Sequence, residues 1–425
     1  MTPIALVALA SCVLAQPVEP LNRSVLFIRG ADCTGGATEG GECPARTEQL
    51  ADVNNSATNP GNHGYAWLKV LLQSEGLLVA QLVESGTPLT LAQLLPHRAV
   101  VLGSNNKVYA PAEVQALHDF VDAGGSVLFI SDANWGLLYG AAPMSDNQFL
   151  ARYGVEVYQD SGHIPVMWRA EPGRYLLPEH PILSGPDGSG SARDVGHYDG
   201  EGVSFFRLIS GTAATSVVDA IGFTVRLNTG DGSPGAIQPA APGDTALFSL
   251  ALGDARLVGH YDRNTFFNLN GAGTDLTRRD NAVLARNLFR FLVSVPATSR
   301  QVPPTCGTGA IFGATPPVLG RTQTLSLWNA PPNAMGLLAV GLGPASPSPL
   351  PGGCVLQVPP GSLAAFPAPV TDPAGWWSFG ITWPDDLSLS GITVTGQVLT
   401  FVPGGPLGGS AELSSAVEMR LGFPQ

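Results

Sequence analysis

The sequence predicts two domains: an α/β domain on a mostly parallel sheet with helices on both faces, then a smaller all-β, sandwich-like domain. Three observations predict this. Between Ser24 and Val293, short apolar runs alternate with segments of helical spacing. From Cys306 onward, strand-like runs alternate with Pro/Gly turns and the helical spacing is gone. A chain of 425 residues, 44% hydrophobic with 52 glycines and 37 prolines, can bury two cores and must turn often.

The elements follow in order. Ser24 to Arg29 is an apolar run closed by Gly30, the pattern of a buried first strand. A long polar loop then holds Cys33, Cys43 and the asparagine-rich stretch from Asn54 to His63. Tyr65 to Glu75 has helical spacing and stops at Gly76, and Leu77 to Leu82 is the second strand. Ala99 to Gly103 is the third, followed by Ser104-Asn105-Asn106. Pro111 suits the first turn of a helix that ends at Gly124-Gly125, and Ser126 to Ile130 is the fourth strand. Val155–Tyr158, Gly222–Leu227, Ala246–Ala251 and Ala255–His260 read as further strands, the last two as a hairpin across Leu252-Gly253-Asp254. Asp280 to Val293 is a helix with Asp280 as N-cap and Val283, Leu284, Leu288, Phe291 and Leu292 as its buried stripe. In the second domain, strands are expected at Thr322–Trp328, Leu337–Gly341, Cys354–Val358, Trp376–Trp383 and Gly396–Phe401. The expected boundaries are a leader at 1–22, the α/β domain at 23–295, a linker at 296–305 and the β module at 306–425.

Residues Ile4 to Ala15 form an apolar stretch too short to span a bilayer, with a small-residue cleavage pattern before Gln16. This predicts export. Leu9-Ala10-Ser11-Cys12 supports the alternative of a lipid anchor at Cys12. No later segment is long and apolar enough for a transmembrane span. Cys33, Cys43, Cys306 and Cys354 are an even set suited to disulfides, and of three pairings Cys33–Cys43 with Cys306–Cys354 keeps each bridge within a domain. No cysteine or histidine cluster has zinc-ligand spacing. A net charge of -12, with lysine only at positions 69 and 107, excludes a nucleic-acid partner. Oligomeric state is left open.

Four stretches carry a family likeness: Phe120 to Val127, His180-Pro181-Ile182-Leu183, Asp199-Gly200-Glu201-Gly202, and Asp262 to Asn268 followed by Asp280-Asn281. With the strand–helix order, they make residues 23–295 resemble the class I glutamine amidotransferase-like superfamily, and within it an exported trehalose-utilisation-like branch. The resemblance implies a flavodoxin-like sheet and, in working glutaminases, a cysteine nucleophile on the sharp turn after the fourth strand. Here that turn reads Ser131-Asp132-Ala133-Asn134-Trp135-Gly136 and holds no cysteine. Ser131 lacks the glycines of a nucleophile elbow. The C-terminal stretches Leu325 to Ala334, Leu350 to Cys354, Pro384-Asp385-Asp386 and Gly396-Gln397 resemble a module appended to many exported bacterial proteins, from which no activity follows.

Ligands of open α/β sheets bind beyond the carboxyl ends of the strands. That rule gathers Asp32, Asn105, Asn106, Asp132, Asn134, Trp135, Asp262, Arg263 and Asn264, a set suited to a glycan or polar small molecule. The plainer reading is that Asp and Asn cap helices and shape turns. His180 before Pro181 is either a rim contact or a loop histidine held by the backbone; His260, at a strand end, is the stronger candidate. Asp199 and Glu201 flank a glycine and offer two carboxylates, a minimal calcium site, against the reading of a solvated turn. Arg263, Arg278 and Arg279 bracket a long Asn/Gly/Thr-rich loop. Trp376, Trp377 and Trp383 suggest a stacking platform, although adjacent strand residues face opposite ways. The expectation is therefore an exported, catalytically degenerate protein that binds a polar small molecule or glycan at the crevice and has no required cofactor. The alternatives are an enzyme of altered chemistry using Asp132, His260 and Asp262, and a purely structural surface protein.

Overall fold

The computed structural model describes residues 23–29, 51–83, 88–103, 109–131, 142–159, 165–169, 174–185, 194–201, 204–228, 234–303, 306–307 and 309–424. The chain divides into two compact units, Asn22–Val293 and Ser294–Gln425.

The strands of the first unit are β1 (Ser24–Arg29), β2 (Leu78–Val83), β3 (Ala99–Leu102), β4 (Ser126–Ile130), β5 (Val155–Gln159), β6 (Pro165–Arg169) and β7 (His197–Glu201). They continue with β8 (Ser204–Leu208), β9 (Thr215–Asp219), β10 (Thr224–Asn228), β11 (Pro234–Pro239), β12 (Thr245–Leu252) and β13 (Ala255–His260). Its helices are α1 (Ala66–Ser74), α2 (Leu91–Leu94), α3 (Pro111–Asp122), α4 (Ala142–Ala151), α5 (Pro181–Ser184) and α6 (Asn281–Val293). Their main sheet has the order β2-β1-β3-β4-β13-β12-β8-β5, with β9 also on β12.

From β2 to β13 the neighbours are parallel, as expected. Beyond β13 every pairing is antiparallel, so the sheet is mixed rather than mostly parallel. The reason is local. The tight turn at Gly253-Asp254 makes β12 and β13 a hairpin, and its second arm takes the position next to β4. No long crossover is then needed, and the sheet grows outward through antiparallel strands. β6–β7 and β10–β11 are separate two-stranded ribbons, the latter including the strand expected near 222–227.

Both faces of the sheet are covered. Phe129 and its partner Gly259 lie on one face, where Phe129 stacks on Phe149 of α4. A side chain at Gly259 would collide with the Phe248 ring, which lies across it. Arg256, Val258 and His260 occupy the other face, toward Phe291 of α6 and Phe266. Glu113 closes the start of α3 by accepting from the N–H of Ala110 at 2.8 Å and of Leu89 at 2.7 Å. Gly124, at φ 95°, ends that helix in a conformation other residues rarely adopt. α6 is buried on more than the expected stripe: Phe289 and Val293 join Leu284, Leu288, Phe291 and Leu292, while Val283 is only half-buried. Asp280 does not cap it through its side chain; Oδ2 of Asp280 accepts from the N–H of His197 at 2.8 Å.

The second unit is β-rich, as expected. Its strands are β14 (Thr298–Val302), β15 (Ile311–Ala314), β16 (Thr322–Trp328), β17 (Gly336–Leu342), β18 (Ser348–Pro349) and β19 (Val355–Leu356). The rest are β20 (Ala364–Ala368), β21 (Trp377–Thr382), β22 (Thr393–Phe401) and β23 (Ala411–Arg420). They form antiparallel sheets of order β14-β23-β22-β17-β20 and β15-β16-β21, with β18–β19 as a small ribbon. The segment expected as a linker contains β14, an edge strand paired along its length with β23. Its polar sequence suits an edge that leaves one side to solvent. Phe312 and Trp377 pack with ring centroids 6.0 Å apart, and Trp377 is buried. The expected Cys306–Cys354 disulfide is present. Cys12, Cys33 and Cys43 lie outside the described residues.

Candidate functional site

The order β2-β1-β3-β4 reverses direction between β1 and β3, the place where an α/β sheet opens a crevice at its carboxyl edge. Asp32, Asn105, Asn106, Asp132, Asn134 and Trp135 fall on the loops after β1, β3 and β4 and lie outside the described residues. What is described at this edge is the end of β13 and the segment after it.

His260, the last residue of β13, is wholly buried. Tyr198, Tyr261 and Phe266 surround its ring at centroid distances of 6.2, 4.9 and 5.0 Å. Its Nδ1 lies 2.7 Å from the carbonyl oxygen of Asp262. A carbonyl only accepts, so Nδ1 carries the proton and Nε2 presents a lone pair. The Asp262 N–H also approaches Nδ1, at 3.3 Å, but cannot donate to a protonated nitrogen; the shorter contact sets the tautomer. Nε2 is buried and, among the described residues, has no hydrogen-bond partner. Burial pulls the imidazole pKa down to about 3, outweighing the Asp262 carbonyl, which raises it. The ring is a neutral acceptor at physiological pH.

The carboxylate of Asp262 does not serve that ring. Its Oδ1 accepts from the N–H of Asn264 at 2.9 Å, and its Oδ2 accepts from Thr265 N–H at 3.1 Å and Thr265 Oγ1 at 3.0 Å. It thereby caps the 3-10 turn Asn264–Phe266. Arg263 and Asn264 are buried with it, and the Arg263 carbonyl accepts from the Tyr65 hydroxyl at 2.8 Å.

A second polar cluster, unforeseen from sequence, joins this segment to residues 54–63. Asn268 Nδ2 donates to the carbonyls of Asn55 at 2.8 Å and Ala57 at 2.9 Å, and its Oδ1 accepts from Trp67 N–H at 2.9 Å. Asn62 Nδ2 donates to the carbonyls of Asn59 and Leu269 at 2.9 and 3.0 Å. The asparagines of the polar loop therefore satisfy buried backbone where two irregular segments meet. Only the pairing of two distant Asn-rich segments hinted at this.

His180 lies elsewhere. Its Nδ1 accepts from Ile182 N–H at 3.2 Å as the N-cap of α5, so Nε2 donates to Ser249 Oγ at 2.9 Å. Burial, then nearby Arg256, lowers its pKa to about 4. Arg256 precedes His260 by four residues on β13, roughly 13 Å along a strand. His180 thus pins α5 to β12 and does not join the crevice. Asp199 sits 3.8 Å from Arg278 and 3.7 Å from Arg279, positive charge that calcium would have to displace. The Glu201 side chain is outside the described set, and among the described residues no group of three metal-ligating side chains gathers.

No family model and no curated protein matches this chain. Among solved structures, the mmIFT52 N-terminal domain is similar at a TM-score of 0.36 and 15% identity, over 63% of this chain and 96% of that one. A putative ThuA-like protein from Parabacteroides merdae ATCC 43184 is similar at 0.34 and 14% identity, over 67% and 94%. An exo-β-1,4-mannosidase, Op5Man5 from Opitutaceae bacterium strain TAV5, is similar at 0.25 and 14% identity, over 56% and 31%. Likenesses at these scores transfer no function to this chain.

Proposed function

We propose that the α/β unit is a catalytically degenerate, amidotransferase-like domain of an exported protein, and that it binds a polar small molecule or glycan at the strand-end crevice. The observation carrying this reading is the state of His260. A His–Asp catalytic pair needs the carboxylate on the imidazole, where it stabilises the imidazolium formed as the base takes a proton. Here a backbone carbonyl occupies Nδ1, and the carboxylate is committed to a turn. An imidazole with a pKa near 3 is also a weak base at neutral pH. What the ring retains is an acceptor, Nε2, buried within its aromatic shell, which a ligand hydroxyl or amide reaches only where that packing gives way.

The missing cysteine after β4 agrees with this reading, and the Cys306–Cys354 disulfide suits an oxidising compartment. Among the described residues no helix is long and apolar enough to cross a membrane. The test pairs two assays on the whole chain. Ammonia release from glutamine and reducing-end release from neutral oligosaccharides should both stay at background. Equilibrium dialysis against the same saccharides should detect binding that weakens in His260→Phe. Turnover lost in His260→Ala would replace this reading with the altered-enzyme one.

A further inference from the structure

The second unit carries a surface built differently from the crevice. On β16, Thr322, Thr324 and Trp328 are exposed at alternating positions, with Ser326 between them on the same face. The register with β21 sets Ser378, Gly380 and Thr382 opposite Ser326, Thr324 and Thr322. Trp376 immediately precedes β21 and Trp328 ends β16, each next to the last pair of that register, Leu327 with Trp377. The two indoles are 44% and 41% exposed, whereas Trp377, pointing the other way, is 4% exposed. The six-membered ring of Trp328 reaches Gly313 of β15, where any Cβ would strike it, so the indole rests against bare backbone. Beside it is a groove of about 430 Å³ whose polar lining includes Ser299, Gln301, Thr315, Thr324 and Ser326. Among the described residues no charged side chain lines it.

We propose that this face of the C-terminal unit is a binding site for a neutral polysaccharide, with Trp328 as the stacking platform and the groove hydroxyls and Gln301 amide as hydrogen-bonding groups. A pyranose ring offers an apolar C–H face to an indole and a rim of hydroxyls to uncharged donors and acceptors. Flat aromatic area beside short polar side chains matches both. The charge pattern excludes other polymers. A chain of net charge -12 with an uncharged groove repels acidic glycans and nucleic acids and holds no counter-charge for ionic peptides. An extended uncharged peptide, adding to the edge strand β15, is the competing occupant. It would use backbone pairing at the edge and would not need two exposed indoles on the sheet face.

Affinity electrophoresis of the whole chain tests this, in gels holding hydroxyethyl cellulose, a soluble β-1,3-glucan, arabinoxylan or galactomannan, with alginate as the anionic control. At least one neutral polymer should retard the protein, alginate should not, and the retardation should survive about 0.5 M salt. Trp328→Ala should weaken it about tenfold or more, and Thr324→Glu should abolish it by placing a charge in the groove. Both positions are exposed, so melting temperatures should be unchanged. Retardation by none of the neutral polymers overturns the proposal. So does undiminished retardation in both groove variants, or capture of an uncharged extended peptide in place of every polysaccharide.

Discussion

His180 and His260 hold opposite tautomers for a reason visible in their partners. His180 accepts a backbone N–H at Nδ1 and donates from Nε2; His260 donates from Nδ1 and leaves Nε2 as an acceptor. Both are neutral when folded, with pKa values of about 4 and about 3 against an unfolded value of about 6.5. The unfolded chain therefore binds more protons between those limits. Stability is full above pH 6.5 and falls as pH drops through the window, by about 2 kcal/mol per histidine at pH 5. Urea unfolding between pH 7 and pH 4.5 should show this slope, and His180→Asn should flatten it; a slope identical in the variant would mean that His180 titrates as a solvated group. Arg256 gives a second prediction. Its fully buried guanidinium lies 4.3 Å from the Phe291 ring centroid without a hydrogen-bond partner among the described residues, and burial, followed by Arg98, lowers its pKa to about 10. Arg256→Met keeps the stem and removes the buried charge, and should leave stability unchanged or raise it by about 1–3 kcal/mol. A clear loss on denaturant titration would show that the charge itself holds the core. In the sequence, His260 stood out because it ends a strand. The turn-forming use of Asp262 could not be told from a catalytic one, since both place an acid just past a strand end.

Elements were readable wherever burial was uniform or periodic. β1, β3 and β4 are short apolar runs, and the hairpin β12–β13 announced its turn. β23 was missed. Its sequence, AELSSAVEMR, is rich in helix formers and polar residues, yet it lies between β14 and β22 with most side chains buried. Ser414 and Ser415 are tolerated there because each hydroxyl meets backbone: Ser414 Oγ accepts from Val398 N–H, and Ser415 Oγ from Phe312 N–H, both at 3.0 Å. Tertiary pairing overrode local propensity. The same element scale holds the disulfide prediction. Cys306 and Cys354 close a separation of 48 residues, for which chain entropy gives about 4 kcal/mol of stabilisation. Cys306→Ala/Cys354→Ala should lose up to that amount in the unfolding transition reported by tryptophan fluorescence. No difference would mean that the unfolded unit is already restricted.

At the scale of the molecule, alternation of strands and helices followed by their disappearance was enough to divide the chain into an α/β and a β-rich unit. It could not show that the α/β sheet changes from parallel to antiparallel beyond β13. That change depends on which neighbour a hairpin arm finds, and not on any pattern within the arm. The glycan-type chemistry expected at the crevice rested on residues after four strands, β1, β3, β4 and β13, of which only the end of β13 and its following turn are described. There the polar side chains hold backbone, and His260 Nε2 is an acceptor buried within its aromatic shell.

The central claim is that this end of the sheet binds and does not catalyse. Its most direct test is thermal unfolding of the whole chain, monitored in the α/β unit, against neutral saccharides, calcium and chelator. A ligand at about 100 times its Kd adds about 2.7 kcal/mol, or about 5–10 °C in Tm for a unit of this size. Such a shift is expected from at least one neutral saccharide, reduced in His260→Phe and accompanied by no turnover of that saccharide. A flat response across the panel, or consumption of the ligand that raises Tm, would contradict the claim.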